Sequence, residues 1–185
     1  MVKMKETNSK PFPDNLVLIG MFGSGKSTVG RILANRKRYN FVDVDHLIEM
    51  KYRKPLGKIY DQLGMKEFMR VEEETILALR TRRCILAPGG SAVYYPKGMR
   101  HLKQLGTCVY LRVSVDEIKK RLPDWSNRGA VCRGGNTIPA LYRERTPLYR
   151  KYADLVVDAS GRSFERIADR VLSALGQEIK TPKKK

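Results

Sequence analysis

Leu16-Val17-Leu18-Ile19 runs directly into Gly20-Met21-Phe22-Gly23-Ser24-Gly25-Lys26-Ser27, a complete match to GxxxxGK[ST], with Thr28 next in a segment of helical period. A short apolar run before and a helix after are the two contexts this phosphate-binding loop requires, and both are read here without reference to the motif. Its glycines permit a tight turn whose amides converge on a phosphate, and the helix start adds its positive dipole end. Lys26 reaches β- and γ-phosphates, and Ser27 offers a hydroxyl to Mg²⁺. The nucleotide-binding set is Gly23, Ser24, Gly25, Lys26, Ser27 and Thr28. By itself such a loop does not separate a kinase from an ATPase, a GTPase or a nucleic-acid motor.

The same alternation continues along the chain. Strands are expected at Leu16–Ile19, Phe41–Val44, Cys84–Ala87, Cys108–Val113 and Leu155–Val157. Helices are expected at Lys26–Arg36, His46–Arg53, Glu67–Arg80, Lys97–Leu105, Val115–Leu122, Pro139–Tyr152 and Ser163–Leu175. The strand segments carry apolar residues without clean alternation, as in LVLI and VYLRV, which suits strands covered on both faces. An α/β fold with a parallel sheet between helical layers follows. Ligands then bind beyond the carboxyl ends of the strands, so chemistry is sought in the residues just after each one.

The chain has 185 residues, room for a single domain. We expect a tail at 1–14, one domain at 15–176 and a basic tail at 177–185. The longest apolar runs fall far short of the roughly 18 residues of a membrane span, and no signal-like stretch follows the first ten residues, so a cytoplasmic protein is expected. Three cysteines, Cys84, Cys108 and Cys132, show no CxxC spacing and suggest neither a disulfide framework nor a zinc site. Net charge is +18; residues 1–10 contribute +2 and residues 180–185 +4, leaving +12 on the body. That favours an anionic ligand, with nucleic acid as a non-specific partner at most, and is equally the mark of a plain solvated basic surface.

Asp43 and Asp45 fall at the end of the second strand segment as DxD, with a spacing that puts both side chains on one strand face. One carboxylate can support Mg²⁺ while the other orients and deprotonates an acceptor hydroxyl. Either can equally be a helix N-cap. After the third strand, Pro88-Gly89-Gly90-Ser91 is either a plain turn or a place where backbone approaches a substrate closely. Arg121 and Arg128 flank a segment that, with Gly129 and Gly134-Gly135, reads as a mobile lid able to bring arginine to the phosphates, although a single arginine in so basic a chain is more often surface than site.

Taken together, GMFGSGKSTVGRILA, DVDHLIE, EFMRVEEE, APGGSAV, VYLRVSVDEIKKRL, NRGAV and ERTPLYRKYADLVVD resemble the shikimate kinase family, in that family's order, from about Asn15 to Leu175. The resemblance implies a three-layer P-loop fold with a five-stranded parallel sheet in the order 2-3-1-4-5, a substrate-holding region after strand 2 and a mobile lid after strand 4. It implies ATP and Mg²⁺ as cofactors and transfer of the γ-phosphate to shikimate, giving shikimate 3-phosphate in aromatic amino acid biosynthesis. By the same resemblance Lys26 binds phosphate, Ser27 binds Mg²⁺, Asp43 supports the metal through water, and Asp45 holds and activates the acceptor hydroxyl. Gly89 and Gly90 fall in the substrate-binding turn. Arg121 matches an arginine near the adenine, Arg128 the lid arginine that reaches the phosphates, and Arg145 one of two arginines that grip the shikimate carboxylate. Catalysis is thereby assigned to Asp45, Lys26 and Arg128, in a monomer acting on a small hydroxylated anion.

The departures fall on the acceptor side. Where the family has arginine after the phenylalanine of its FRxxE stretch, Phe68 is followed by Met69, and Arg70 stands about 100° further round a helix. The family's GGG turn reads Gly89-Gly90-Ser91, and its RPLL lid reads Arg128-Gly129-Ala130-Val131. A kinase for another acceptor, such as homoserine or threonine, is therefore carried as the second reading, and a nucleotide-binding protein that holds nucleic acid as the third.

Overall fold

The computed structural model describes residues 12–122 and 137–177. Arg128, the expected lid, Cys132 and all of the two expected tails but residues 12–14 and 177 lie outside them. Five strands, β1 (Asn15–Ile19), β2 (Asn40–Asp43), β3 (Cys84–Ala87), β4 (Thr107–Arg112) and β5 (Leu155–Asp158), form one sheet in the order β2-β3-β1-β4-β5. All pairings are parallel. The central strands β1 and β3 are buried throughout, and the edge strands β2 and β5 only in part. This is why the apolar residues of LVLI and CILA do not alternate with polar ones.

Among the described residues, seven helices connect and cover the strands: α1 (Lys26–Lys37), α2 (Val44–Tyr52), α3 (Leu56–Leu77), α4 (Pro96–Leu105), α5 (Val115–Arg121), α6 (Ile138–Tyr152) and α7 (Phe164–Ala174). The crossover connections that parallel strands require place α1 with α7 on one face and α3, α4 and α6 on the other. The core between them is built from Leu16, Leu18, Leu33, Ile85, Val109, Leu111, Leu141 and Ile167, all fully buried. No helix among the described residues is long and apolar enough to cross a membrane.

Two elements depart from the expected boundaries. Helix α3 begins at Leu56, eleven residues before Glu67, and is interrupted at Gly64, whose φ of 73° and ψ of 165° are not helical. Gly57 and Gly64 weaken the helical period over this stretch and hide its first two turns from a reading of the sequence. At the other departure, β2 stops at Asp43 and helix begins at Val44, so Asp45 belongs to the first turn of α2 and not to the strand. The two carboxylates still converge, because a tight strand-to-helix turn replaces the strand face on which the spacing had placed them.

Candidate functional site

The loop between β1 and α1 closes over the carboxyl ends of the strands. Gly25 caps α1 at φ 92°, a left-handed backbone that a side chain resists, and a Cβ there would lie 2.8 Å from the Phe164 ring. Lys26 folds back over the loop, its Nζ donating to the carbonyls of Gly20 (2.9 Å) and Met21 (3.0 Å). Burial lowers its pKa to about 8, against the opposing pull of Asp45 and Asp43. An ammonium that burial disfavours, held in an anion-shaped loop, gains strongly from an arriving phosphate.

Ser27 Oγ donates to Asp43 Oδ2 at 2.6 Å. The other Asp43 oxygen accepts from the Asp45 amide at 3.2 Å, which makes Asp43 the N-cap of α2. The cap and the metal-supporting readings of Asp43 are thus compatible, one oxygen serving each. A hydroxyl and a carboxylate oxygen in contact beside a phosphate loop are the hard donors that Mg²⁺ takes. Among the described residues no cluster of three or more His, Cys, Asp or Glu is gathered for a metal.

Asp45 points into the same space, and its Oδ1 is enclosed without a hydrogen-bond partner among the described residues. Burial first, and then the charge of Asp43, raise its pKa to about 6, with Lys26 pulling the other way. A Cβ on Gly89 would stand 2.6 Å from that Oδ1 and 2.9 Å from Glu72 Oε1, so only glycine fits between the two carboxylates. Glu72 is buried on α3. Ser91 Oγ lies 2.6 and 2.8 Å from its two oxygens, and the Tyr95 hydroxyl donates to Oε2.

Burial raises Glu72 to about 7, the charge of Asp45 adds to the shift, and the Ser91 and Tyr95 hydrogen bonds oppose it. A carboxyl whose folded-state pKa exceeds its ordinary value of 4.5 holds a proton that the unfolded chain releases. Its stability contribution is therefore complete below that ordinary value and lost as pH rises through about 7, amounting to about 3 kcal/mol in all. Glu72→Gln is expected to flatten the fall in melting temperature between pH 5 and pH 8 by roughly 5–10 °C. Equal slopes in variant and wild type, followed by calorimetry, would show that Glu72 does not titrate in this window.

Across the Gly89-Gly90 turn stands Arg145, 1% exposed, on α6. Its Nε donates to the Tyr94 hydroxyl at 3.1 Å, and a Cβ on Gly90 would lie 3.1 Å from its terminal nitrogen. The Tyr149 hydroxyl donates to the Gly90 carbonyl at 2.6 Å, fixing the turn, and the Tyr149 ring stacks on Tyr110. A guanidinium buried among tyrosines beside open backbone suits one carboxylate of a small ligand.

At the far end, Arg121 anchors to Glu117, to the Gly23 carbonyl (3.2 Å) and to the Ala159 carbonyl (3.4 Å), with its guanidinium 5.4 Å from the centre of the Phe164 ring. A cavity of about 460 Å³ runs from this pair, over Gly25, Lys26 and Ser27, to Asp43, Asp45 and Gly90. Exposed Thr28 also lines it. The structure therefore brings together every expected site residue except Arg128, which lies outside the described residues. It adds Phe164, Glu72, Tyr94 and Tyr149, which sequence reasoning did not single out. Phe164 carried a weak signal, an aromatic residue opening a helix just after the last strand.

On α3, Met69 packs against the core. Arg70 is exposed and engaged in ion pairs with Glu67 and Glu74 on the outer side of the same helix. It does not take over the position at which Met69 stands.

The family model for shikimate kinase matches residues 22–176. A shikimate kinase of Nitrosomonas europaea is 33% identical over 177 residues, covering 94% of this chain and 83% of its own. One from Thiobacillus denitrificans is 38% identical over 154 residues, covering 81% and 84%. Among solved structures, shikimate kinase from Acinetobacter baumannii in complex with shikimate superposes with a TM-score of 0.79 at 30% identity, covering 86% of this chain and 91% of its own.

Proposed function

The chain belongs to the shikimate kinase family, and on that premise we propose that it transfers the γ-phosphate of ATP to a hydroxyl of shikimate, giving shikimate 3-phosphate. It is a phosphotransferase to an alcohol group that uses ATP and Mg²⁺, within aromatic amino acid biosynthesis. The observation that carries the acceptor side is the enclosed Asp45 Oδ1, which has no donor of its own and lies beside Gly89, with the buried Arg145 across the turn. An acceptor with a carboxylate beside Arg145 and a hydroxyl at Asp45 gives that Oδ1 its donor while placing its negative charge next to the buried guanidinium.

In this reading Asp45 orients the acceptor hydroxyl and takes its proton, a role worth typically 10²–10⁴-fold in rate. Lys26 follows the phosphate as charge builds on it, and the loop amides from Gly23 to Thr28 hold the chain of phosphates. Ser27 and Asp43 would hold Mg²⁺, which would supply neutralisation of the phosphate charge. Arg121 and Phe164 form the wall against which the base rests, and Gly89 and Gly90 give the acceptor backbone contact. Arg128 is assigned to the phosphates by family position. Residues 15–176 form the catalytic unit, which supplies every group named here from one chain, in keeping with a cytoplasmic monomer working on a free metabolite.

Met69 favours a second reading, in which the acceptor is another hydroxylated anion such as homoserine or threonine. One charge-assisted hydrogen bond contributes about 1.5–3 kcal/mol, so a carboxylate held by Arg145 without a second arginine binds roughly 10–100-fold more weakly. If shikimate is the acceptor, Met69→Arg lowers its KM or leaves it unchanged, and the wild type prefers shikimate over homoserine and threonine in kcat/KM. If the acceptor differs, arginine at this position impairs the native reaction and the wild type shows no activity on shikimate.

A further inference from the structure

At the end of the sheet opposite the nucleotide cavity, three chain segments enter β1, β2 and β3 side by side. Asn15 and Asn40 both pair with Cys84 in the sheet register, so residues 12–15, 36–40 and 80–83 lie next to one another. These thirteen residues carry six cations, Arg36, Lys37, Arg38, Arg80, Arg82 and Arg83, and one acid, Asp14. Basic side chains are laid on aromatic rings here: Arg83 lies 5.4 Å from the Tyr39 ring, Lys37 lies 4.8 Å from the Phe12 ring, and the two rings meet edge to face at 5.2 Å.

Arg38 and Arg83 adopt φ of 56° and 52°, the left-handed backbone that glycine and asparagine enter far more readily. The Asn40 amide donates to the Arg83 carbonyl at 2.9 Å, which holds the two turns together. Arg38 takes this backbone as the C-cap of α1, as Arg53 does at the end of α2 with φ of 53°, so the conformation is a helix-ending feature; its consequence here is that two exposed arginines stand on one surface. The same face is where the basic ends of the sequence depart: Phe12 follows residues 1–11, and Gln177, whose side-chain oxygen accepts from Lys37 at 2.7 Å, precedes residues 178–185.

We propose that this face, built on Arg38, Arg83, Tyr39 and Phe12, is a docking surface for single-stranded nucleic acid, separate from the kinase cavity. Arginine matches phosphate bidentately, and aromatic rings with cations beside them accept stacked bases without regard to sequence. An acidic lipid surface would need the charge but not the rings. The kinase site lies at the opposite ends of the same strands, so acceptor phosphorylation and nucleic-acid binding are expected to be independent.

The test is fluorescence anisotropy of a labelled 20-nucleotide poly(U) RNA with the full chain across a salt series, beside vesicles of neutral and of phosphatidylserine-containing composition. We expect micromolar binding near 100 mM salt with steep salt dependence. The double variant Arg38→Gly, Arg83→Gly relieves both left-handed turns, so it folds with an unchanged or higher melting temperature and retains kinase activity. It is expected to weaken RNA binding at least tenfold and to reduce the salt slope by about 1.4, near 0.7 for each lost phosphate contact. Lys58→Ala with Lys66→Ala, which removes two exposed charges from α3, serves as the control and is expected to change binding less than threefold. Equal losses in the two double variants, no RNA binding by the wild type, or binding to anionic vesicles alone would each overturn the proposal.

Discussion

Lys26→Met is expected to lower kcat by 10²-fold or more while the protein melts within a few degrees of the wild type. The rate effect follows from position. Lys26 lies in the loop between Gly25 and Ser27, lines the cavity beside Asp45, and is the cation that the loop itself supplies to the transferring phosphate. Removing one preorganised group of that kind typically costs about 2.7–4 kcal/mol of transition-state stabilisation. Stability moves little because the ammonium is already disfavoured where it stands: burial lowers its pKa to about 8, so an uncharged side chain of similar length gives up two hydrogen bonds to carbonyls but no longer buries a charge. Steady-state turnover with saturating ATP decides it. More than about a tenth of wild-type kcat would contradict the electrostatic role.

Asp45→Asn is expected to remove 10²–10⁴-fold in kcat with the ATP KM nearly unchanged, because this carboxylate meets the acceptor and not the nucleotide. Its folded-state pKa near 6 lies above the ordinary value of 3.8, so the carboxyl is protonated, and unable to take a proton, below about pH 6. Wild-type activity should therefore fall as pH drops through 6, and the residual activity of the variant should lack that limb. Asparagine should also melt no earlier than the wild type at pH 8, since a carboxylate that burial penalises is replaced by a neutral amide. An early-melting variant with normal turnover would mean that Asp45 serves the helix and not the reaction.

The phosphate side was legible in the sequence because its chemistry is local. From Gly20 to Thr28 the loop, its cation and its hydroxyl are contiguous, and one strand and one helix suffice to place them. The acceptor side was legible only as a set of positions. Glu72, Ser91, Tyr95 and Arg145 come from α3, the β3–α4 connection and α6, and nothing in the spacing of EFMRVEEE distinguishes the one buried glutamate from its exposed neighbours Glu67 and Glu74. The helical period does separate Met69 from Arg70, and the outward ion pairs of Arg70 follow from that 100° step. The early start of α3 stayed hidden behind Gly57 and Gly64, because a helix broken by a left-handed glycine leaves no continuous apolar stripe to read.

The central claim, phosphoryl transfer to shikimate through Asp45 and Lys26, is tested most directly by ADP release from ATP and Mg²⁺ in the presence and absence of shikimate, with the product identified by ³¹P NMR. ADP formation that depends on shikimate, with one phosphate ester appearing on its ring, is the result predicted here. ADP formation that shikimate does not stimulate, or no transfer to shikimate while homoserine or threonine is phosphorylated, would contradict it.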